Sequence, residues 1–459
     1  MMSISKSGHL ALEIGVITLL LFYFGCQNSE PKTTQNNRPN ILLIFTDDLG
    51  YGDLSIQAAT DLQTPNIDNI GKQGMVFKKF YANSPVCSPS RAALLTGKYP
   101  DMVGVPGVIR QKEKHSWGYF DEKSVTLPQL LNEAGYHTGM IGKWHLGYEK
   151  PNIPNSRGFQ HFKGFLGDMM DDYWTHLRGD INWMRDHEKE INPEGHATDI
   201  FTDWAIEYLQ EQQDNQQPFF LYLAYNAPHF PIQPPQEWLD KVLLREQNID
   251  EKRAKNVAFI EHLDFNVGRV MDALEEIGLD ENTLVIFTSD NGGALDYAQS
   301  NHPLRGSKQE MFEGGIRVPF FARWKGKIAP GSTSDNVGML MDLLPTFCEA
   351  AEKEITHTID GISLLPTLLG QKQGTDDRPL FWVRREGWDY GGQAYYAARY
   401  KGYKILQNSA YGPLQFFHIA EDELEQAPLN SEDNEVYREL RMELQEHIRK
   451  SGAVPWQKK

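Results

Sequence analysis

Five short apolar runs punctuate the chain: Ile41–Phe45 (ILLIF), Gly139–Ile141 inside GYHTGMIG, Phe219–Tyr225 (FFLYLAY), Leu284–Phe287 (LVIF) and Val318–Ala322 (VPFFA). Continuous apolar runs, without polar alternation, are the pattern of strands covered on both faces. Helical patterns lie between them. The clearest places Ile260, Leu263, Val267, Val270, Met271, Leu274 and Ile277 at spacings of three and four and closes at Gly278. Alternation of strands and helices predicts an α/β domain over residues 38–354, with a mostly parallel central sheet between helices. Beyond it the pattern changes. LFWV, AYYAARY, YKILQ and LQFFHI are short aromatic-rich segments set between turn signals such as Gly391-Gly392 and Gly412-Pro413. They predict a small antiparallel sheet, followed by a last helix over about 432–450. The second unit is thus a smaller C-terminal α+β domain over residues 375–459, joined to the first near Ile355 to Thr375.

The N-terminus follows a different rule. Lys6 precedes the apolar run Ile14–Gly25, which is shorter than the about 20 residues that span a bilayer comfortably. The run ends at Cys26 and gives way to the polar stretch QNSEPKTTQNNRPN. This predicts an export signal over residues 1–25 and a flexible tether over 26–37. Gly25-Cys26 looks like a lipoprotein processing site, which would anchor the chain to a membrane through a lipid on Cys26. The expected location is exported, periplasmic or at the cell surface.

Composition narrows the function. Of 459 residues 40% are apolar and 11% aromatic, too many for a disordered chain. Three cysteines exclude a disulfide framework. A formal charge of −17 argues against nucleic acid as a partner, since phosphate binding needs a broad basic surface. It leaves room for an anionic small substrate, which local basic residues can hold.

In open α/β sheets ligands bind beyond the carboxyl ends of the strands, and the unusual polar residues of this chain gather there. ILLIFT runs into Asp47-Asp48, GYHTGMIG into Lys143, Trp144 and His145, FFLYLAY into Asn226, Pro228 and His229, and LVIFTS into Asp290-Asn291-Gly292-Gly293. Each piece alone has an ordinary reading: Asp-Asp as a turn or helix cap, Asp-Asn-Gly-Gly as a turn, a lone His as a hydrogen-bonded surface residue. Together, three carboxylates and an amide oxygen form a hard-oxygen set suited to Ca²⁺ or Mg²⁺. The cysteines are too scattered for a zinc site.

Residues 85–97 read PVCSPSRAALLTG. Cys87 could be a buried free thiol before a helix, or a thiol nucleophile at a helix N-terminus. Neither accounts for the adjoining Pro and Arg. Cys87 to Arg91 instead matches in full the Cys-x-Pro-Ser-Arg signature of the formylglycine-dependent type I sulfatases of the alkaline phosphatase superfamily. Gly135 to His145 (GYHTGMIGKWH) matches their second signature. The resemblance continues through Asp47-Asp48, Ala227-Pro228-His229, Asp290-Asn291-Gly292-Gly293 and Leu304–Phe320, and covers residue 38 to the C-terminus. GFLGDMMDDYWTH and TDIFTDWAIEYL look most similar to the arylsulfatase and N-acetylgalactosamine-4-sulfatase branch.

That resemblance implies a set of roles. Cys87 would be oxidised to formylglycine by a maturation enzyme, and its hydrate would attack a sulfate ester. Asp47, Asp48, Asp290, Asn291 and residue 87 would hold one Ca²⁺. Arg91 and Lys143 would stabilise the hydrated aldehyde, His145 would be the base that triggers sulfate release, His229 would protonate the leaving alcohol, and Lys308 would hold the sulfate. EGGIRVP (Glu313 to Pro319) reads as structural, with Arg317 a buried ion-pair partner. The implied substrate is a sulfated carbohydrate, with Trp117, Trp174, His176, Arg178, His302, Arg384 and Arg385 as candidate sugar contacts. Two alternatives stay open: hydrolysis of phosphoesters or phosphonate monoesters with the same nucleophile, and a non-catalytic glycan-binding lipoprotein on this scaffold.

Overall fold

Every apolar run becomes a strand. A computed structural model describes residues 38–215, 217–387 and 393–458. The expected export signal, tether and Cys26 anchor lie outside the described residues. The main sheet contains, in chain order, β1 (Asn40–Thr46), β2 (Met75–Tyr81), β3 (His137–Lys143) and β4 (His161–Phe165). After a separate two-stranded hairpin, β5 (Leu177–Arg178) and β6 (Ile181–Asn182), it resumes with β7 (Met184–Asp186), β8 (Lys189–Glu190) and β9 (Phe219–Ala224). It is completed by β10 (Thr283–Ser289), β11 (Phe320–Arg323) and β12 (Ser332–Met339). The spatial order is β12-β2-β11-β10-β1-β9-β3-β4-β7-β8. The central strands β10-β1-β9-β3-β4 are all parallel, whereas β11 and β7 run antiparallel to their neighbours.

Alternation within the buried strands builds two cores. Ile41, Leu43 and Phe45 of β1 face one way, with Phe220, Tyr222, Leu284 and Ile286. They pack on α2 (Cys87–Thr96), α3 (Leu127–Glu133) and α8 (Leu343–Ala350). Leu42 and Ile44 face the other way, with Leu221, Leu223, Val285 and Phe287, against α1 (Pro65–Lys72), α4 (Ala197–Gln212) and α6 (Glu251–Glu276). Each such side chain contributes about 1.5–3 kcal/mol on burial, so both faces of the central strands are held by the core. Helix α6 begins nine residues before the apolar spacing starts at Ile260, because Asp250 caps it by accepting from the Lys252 and Arg253 amides at 3.0 and 3.2 Å. The short helices α5 (Gln236–Arg245), α7 (Glu313–Ile316) and α9 (Leu365–Leu368) lie in the connections. Among the described residues, no helix is long and apolar enough to cross a membrane.

The aromatic C-terminal segments form the expected antiparallel meander: β13 (Leu380–Glu386), β14 (Gln393–Tyr400), β15 (Tyr403–Gln407) and β16 (Gln415–His418), covered by α10 (Glu435–Ser451). Its apolar face shares one cluster with Tyr81, Ala93, Met311, Ile316 and Met339 of the larger unit. A buried ion network ties the two together. Lys404 of β15 lies 2.8 Å from Glu313 of α7 and 2.8 Å from Glu425, all three inaccessible, while Tyr81 donates to Glu313 at 2.8 Å. Arg317, expected as a buried ion-pair partner, is 2.5 Å from Glu423.

Breaking such a network from the cationic side strands two buried carboxylates, a cost of about 3–5 kcal/mol. Lys404→Met is therefore expected to lose stability of that order in chemical denaturation. A loss under about 1 kcal/mol would mean the two sheets do not depend on this contact.

Candidate active site

Strand register brings the acidic residues together. Thr46 of β1 lies beside Ser289 of β10, so Asp47 and Asp290 leave neighbouring parallel strands at the same level. The Asp290 amide donates to Thr46 O at 3.2 Å, and the Asp47 amide to Ala227 O at 3.3 Å, fixing both exits and the β9 exit that carries His229. The chain then turns sharply. Asp48 has φ 65° and His145 φ 60°, left-handed conformations that Asp and His tolerate better than most residues. Asp48 accepts from the Asn291 side-chain amide at 2.8 Å, and its own amide donates to Asp290 Oδ1 at 3.1 Å.

Helix α2 enters from the other side. It is buried along its whole length, and Val86 before it supplies no side-chain cap. Cys87 is its first residue, at the positive end of the helix dipole. Arg91 is four residues on, on the same face. Its guanidinium lies 2.9 Å from Asp290, 3.5 Å from Asp47 and 3.1 Å from the Lys143 carbonyl. Lys143 meets Asp47 at 2.5 Å, and Lys308 meets Asp48 at 2.7 Å. Three carboxylates thus face three cations in a centre where Asp47, Asp290, Arg91 and Lys143 are fully buried.

This packing sets the protonation states. Burial alone would raise Asp47, but Lys143, with His229 and Arg91, outweighs it and holds the carboxyl well below its usual range. Burial and the Asp47 charge push Asp290 up. Burial raises the Cys87 thiol well above its usual value, against the pull of Lys143 and Lys308. The unmodified residue is therefore held as a thiol, and the reading of Cys87 as a thiolate nucleophile does not fit its surroundings. Burial, with Lys143 and Arg91, holds His145 well below the usual imidazole range, so it is neutral at neutral pH. Its Nε2 lies 2.9 Å from the Ile109 carbonyl, which can only accept. The proton therefore sits on Nε2 and leaves Nδ1, buried and without a hydrogen-bond partner, as a bare base. His229 mirrors it: Nδ1 donates to Phe230 O at 2.6 Å, and Nε2 points to Asp48 at 3.5 Å.

Free lone pairs test whether the centre could hold a cation. Asp47 Oδ1 and Asn291 Oδ1 are buried and accept no hydrogen bond. Ligand atoms of Asp47, Asp48, Cys87 and His229 all lie within 4.8 Å of one another. Orphaned buried acceptors are costly, and hard oxygens in this number suit a divalent cation. Asp290 stands at the edge of this group, its carboxylate shared between Arg91 and the Asp48 amide.

The structure thus brings Asp47, Asp48, Cys87, Arg91, Lys143, His145, His229, Asp290, Asn291 and Lys308 to one crevice. It treats the candidate sugar contacts unevenly. His176 is buried and bonded to Gly195 O at 3.0 Å. Arg384 is buried between Glu386 and Gln309, at 3.2 and 2.9 Å, and Arg385 turns toward Ser451 of α10. His176 and Arg384 are taken up by these internal partners, and half-buried Arg385 lies on the opposite face of β13 from Arg384. Trp117 stacks on Trp456 at 4.7 Å, and Arg178 is held by Asp168 and Asp171. Trp174 and His302 remain exposed. Several supporting residues carry no sequence signal: Ile109, which acts through its carbonyl, and Tyr173, whose hydroxyl donates to Asn226 O at 2.7 Å and lies 2.9 Å from His229 O. Ser88, inside the Cys87 motif, could have been noticed; its Oγ accepts from the Ile109 amide at 3.1 Å.

Such a centre gathers carboxylates at strand ends, a helix N-terminus, one imidazole with a free nitrogen and a second imidazole beside Asp48. The family model described as Sulfatase matches residues 39–353, and one described as N-sulphoglucosamine sulphohydrolase, C-terminal, matches 306–453. The chain belongs to the sulfatase family and is a sulfatase enzyme. It is 36% identical over 368 residues to the N-acetylgalactosamine-6-sulfatase of Canis lupus familiaris, covering 75% of this chain and 68% of that one. It is 32% identical over 405 residues to human arylsulfatase A, covering 81% and 76%. The crystal structure of Ps i-CgsB in complex with k-i-k-neocarrahexaose superposes with a TM-score of 0.84 at 30% identity, covering 92% of this chain and 95% of that one.

If the crevice takes a divalent cation, calcium should raise the melting temperature of chelator-treated protein. A hundredfold excess over Kd corresponds to about 2.7 kcal/mol. Asp47→Asn should abolish the rise, measured by differential scanning calorimetry; a rise that survives in that variant would place the cation elsewhere.

Proposed function

We propose that this sulfatase removes sulfate from a sulfated carbohydrate, with Cys87 matured to formylglycine and a calcium ion held by Asp47, Asp48, Asp290 and Asn291. The observation that carries the reading is the convergence of Cys87 with Lys143, His145, His229 and Lys308 on one buried acidic cluster. Three carboxylates against three cations leave the centre formally neutral, so a divalent cation would make it positive, matched to an anionic ester. When bound, calcium supplies Lewis-acid polarisation of the nucleophile and of a sulfate oxygen. Formylglycine at residue 87 would, as its hydrate, supply two hydroxyls on one carbon, one as the nucleophile toward sulfur and one whose deprotonation would release sulfate.

The chain's own groups move the protons and hold the charges. His145 Nδ1 takes the proton of the second hydroxyl, while the Ile109 carbonyl holds the ring in the tautomer this needs. His229 would act as an imidazolium, Nδ1–H on Phe230 O and a second proton on Nε2 beside Asp48, and would pass that Nε2 proton to the leaving alcohol, returning to the neutral ring. Arg91 and Lys143 steady the hydrated aldehyde, and Lys308 meets the sulfate as a point charge. A carbohydrate substrate is supported by the relatives: N-acetylgalactosamine stands in the name of one, and another was crystallised with a neocarrahexaose. Export with anchoring at Cys26 belongs to this reading, and Lys6 with the apolar run 14–25 supports it.

Mass spectrometry of the tryptic peptide Phe80–Arg91 from protein made with its maturation machinery should show a loss of about 18 Da at Cys87. Unmodified Cys87 in protein that releases sulfate would overturn the nucleophile. In the matured enzyme, His145→Ala should lower kcat for sulfate release by about 10²–10⁴-fold; a change under about threefold would remove His145 from the role of base.

A further inference from the structure

His229 stands on a loop. β9 ends at Ala224 and α5 begins at Gln236, so no strand or helix holds the residues between. Their carbonyls are held instead. Asn226 O accepts from the His229 amide at 3.0 Å, and the Tyr173 hydroxyl lies 2.7 Å from it. Ala227 O accepts from the Asp47 amide at 3.3 Å. Pro228 O accepts from the side-chain Nε2 of Gln299 at 2.9 Å, and His229 O lies 2.9 Å from the Tyr173 hydroxyl. Pro228 O and the His229 amide belong to one planar peptide unit, which moves as a body. Gln299 grips one side of that unit and Asn226 O the other.

Gln299 has a second bond. Its Oε1 accepts from the Ala294 amide, so one side chain spans the exits of β9 and β10, the strands that deliver His229 and Asp290-Asn291. It is 4% exposed, so water does not compete for either bond. A Cβ on Gly293 would fall 2.9 Å from its Cβ, and the glycine thus makes room for it.

Its backbone is anchored on both flanks. Ala298, with φ 60°, offers its carbonyl to Arg253 of α6 at 3.1 Å. Ser300 donates its amide to Asp53 at 2.8 Å and accepts from the Gly52 amide at 2.9 Å. Asp53 is fully buried and meets Arg253 at 2.6 Å. Gly52 and Asp53 belong to the loop that Asp47-Asp48 begins. The exits of β1, β9 and β10 therefore meet at Gln299.

We propose that Gln299 is a positioning residue for the proton donor: by fixing Pro228 O it aims the His229 imidazole at the leaving oxygen, without itself touching substrate. The proposal rests on the hydrolytic reading above, in which His229 protonates the leaving alcohol. It gives a role to a residue that lies outside every motif of the reactive centre.

A proton donor matters most for a leaving group that departs poorly by itself. The probes are 4-nitrophenyl sulfate, whose phenolate leaves readily, phenyl sulfate, of similar shape but with a poorer leaving group, and tetrasaccharides of chondroitin sulfate and iota-carrageenan, whose leaving groups are alcohols. Gln299→Met keeps the volume and removes both hydrogen bonds. Gln299→Ala leaves room for water to take them, so it serves if the first variant does not fold. In matured enzyme, either should lower kcat about tenfold for phenyl sulfate and for whichever tetrasaccharide is cleaved, but less than about threefold for 4-nitrophenyl sulfate, with KM nearly unchanged. Added to His229→Ala, Gln299→Met should cost less than about twofold on any cleaved ester, because both act through one group. An equal fall with every ester, or losses that multiply in the double variant, would make Gln299 a mere structural support and overturn the proposal. Wild-type rates in the Gln299 variants beside an impaired His229→Ala enzyme would sink the proposal alone. A His229→Ala enzyme indifferent to the leaving group, or no sulfate released from any ester by wild-type protein, would sink the reading on which the proposal rests and the proposal with it.

Discussion

The burial of like charge at the ends of β1 and β10 is the constraint on which the structure turns. Asp47, Asp48 and Asp290 are held together in a centre closed to water. Two unit charges about 4 Å apart interact by about 4 kcal/mol at an effective dielectric near 20, so such a group stands only if cations are brought to it from elsewhere. Arg91 comes from α2, Lys143 from the end of β3 and Lys308 from the loop before α7. Each carrier is itself anchored: α2 in the apolar core, β3 in the parallel sheet, and Lys308 through an amide bond to Gly293 O at 2.9 Å.

The C-terminal sheet belongs to the same arrangement. Gln309, next to Lys308, is gripped through its carbonyl and side chain by Arg384 of β13, and Arg384 leans on Glu386, which also holds Arg110. From Arg110 it is one residue to Ile109 and so to His145. A chain of buried polar contacts thus runs from the residue placed at the sulfate to the residue placed as base, through a strand the motifs do not mention. Positions chosen from composition as sugar contacts, such as Arg384, prove to be part of that frame.

The acidic cluster and the surface around it are built differently. The acidic cluster and its cations are written in short motifs and occupy the interior. The surface near Ile109, where Trp117 stacks on Trp456, is assembled from loops and the C-terminal tail, where change costs the fold little.

Much of this was legible in the amino-acid order. The buried strands showed as apolar runs because both their faces are covered. Most of the candidate site residues showed because they sit at or just past a strand end or near the start of a helix, and strand ends are where an α/β sheet exposes chemistry; Lys308, in a loop, showed only through the family resemblance. The aromatic meander showed through its turn signals. Other features did not show. Strands β2 and β12 escaped because MVFKKFY and STSDNVGM lie at one edge of the sheet, where polar residues are tolerated. Ile109 works through a carbonyl, which every residue has. Trp456 meets Trp117 across more than three hundred residues, and no local pattern encodes such a meeting. Sequence alone pointed to the groups proposed to carry the chemistry, since side-chain type and local period are local properties. Only the tertiary structure decided their protonation, their tautomers and the contacts that position them, since these depend on burial and on partners that the chain brings together from a distance.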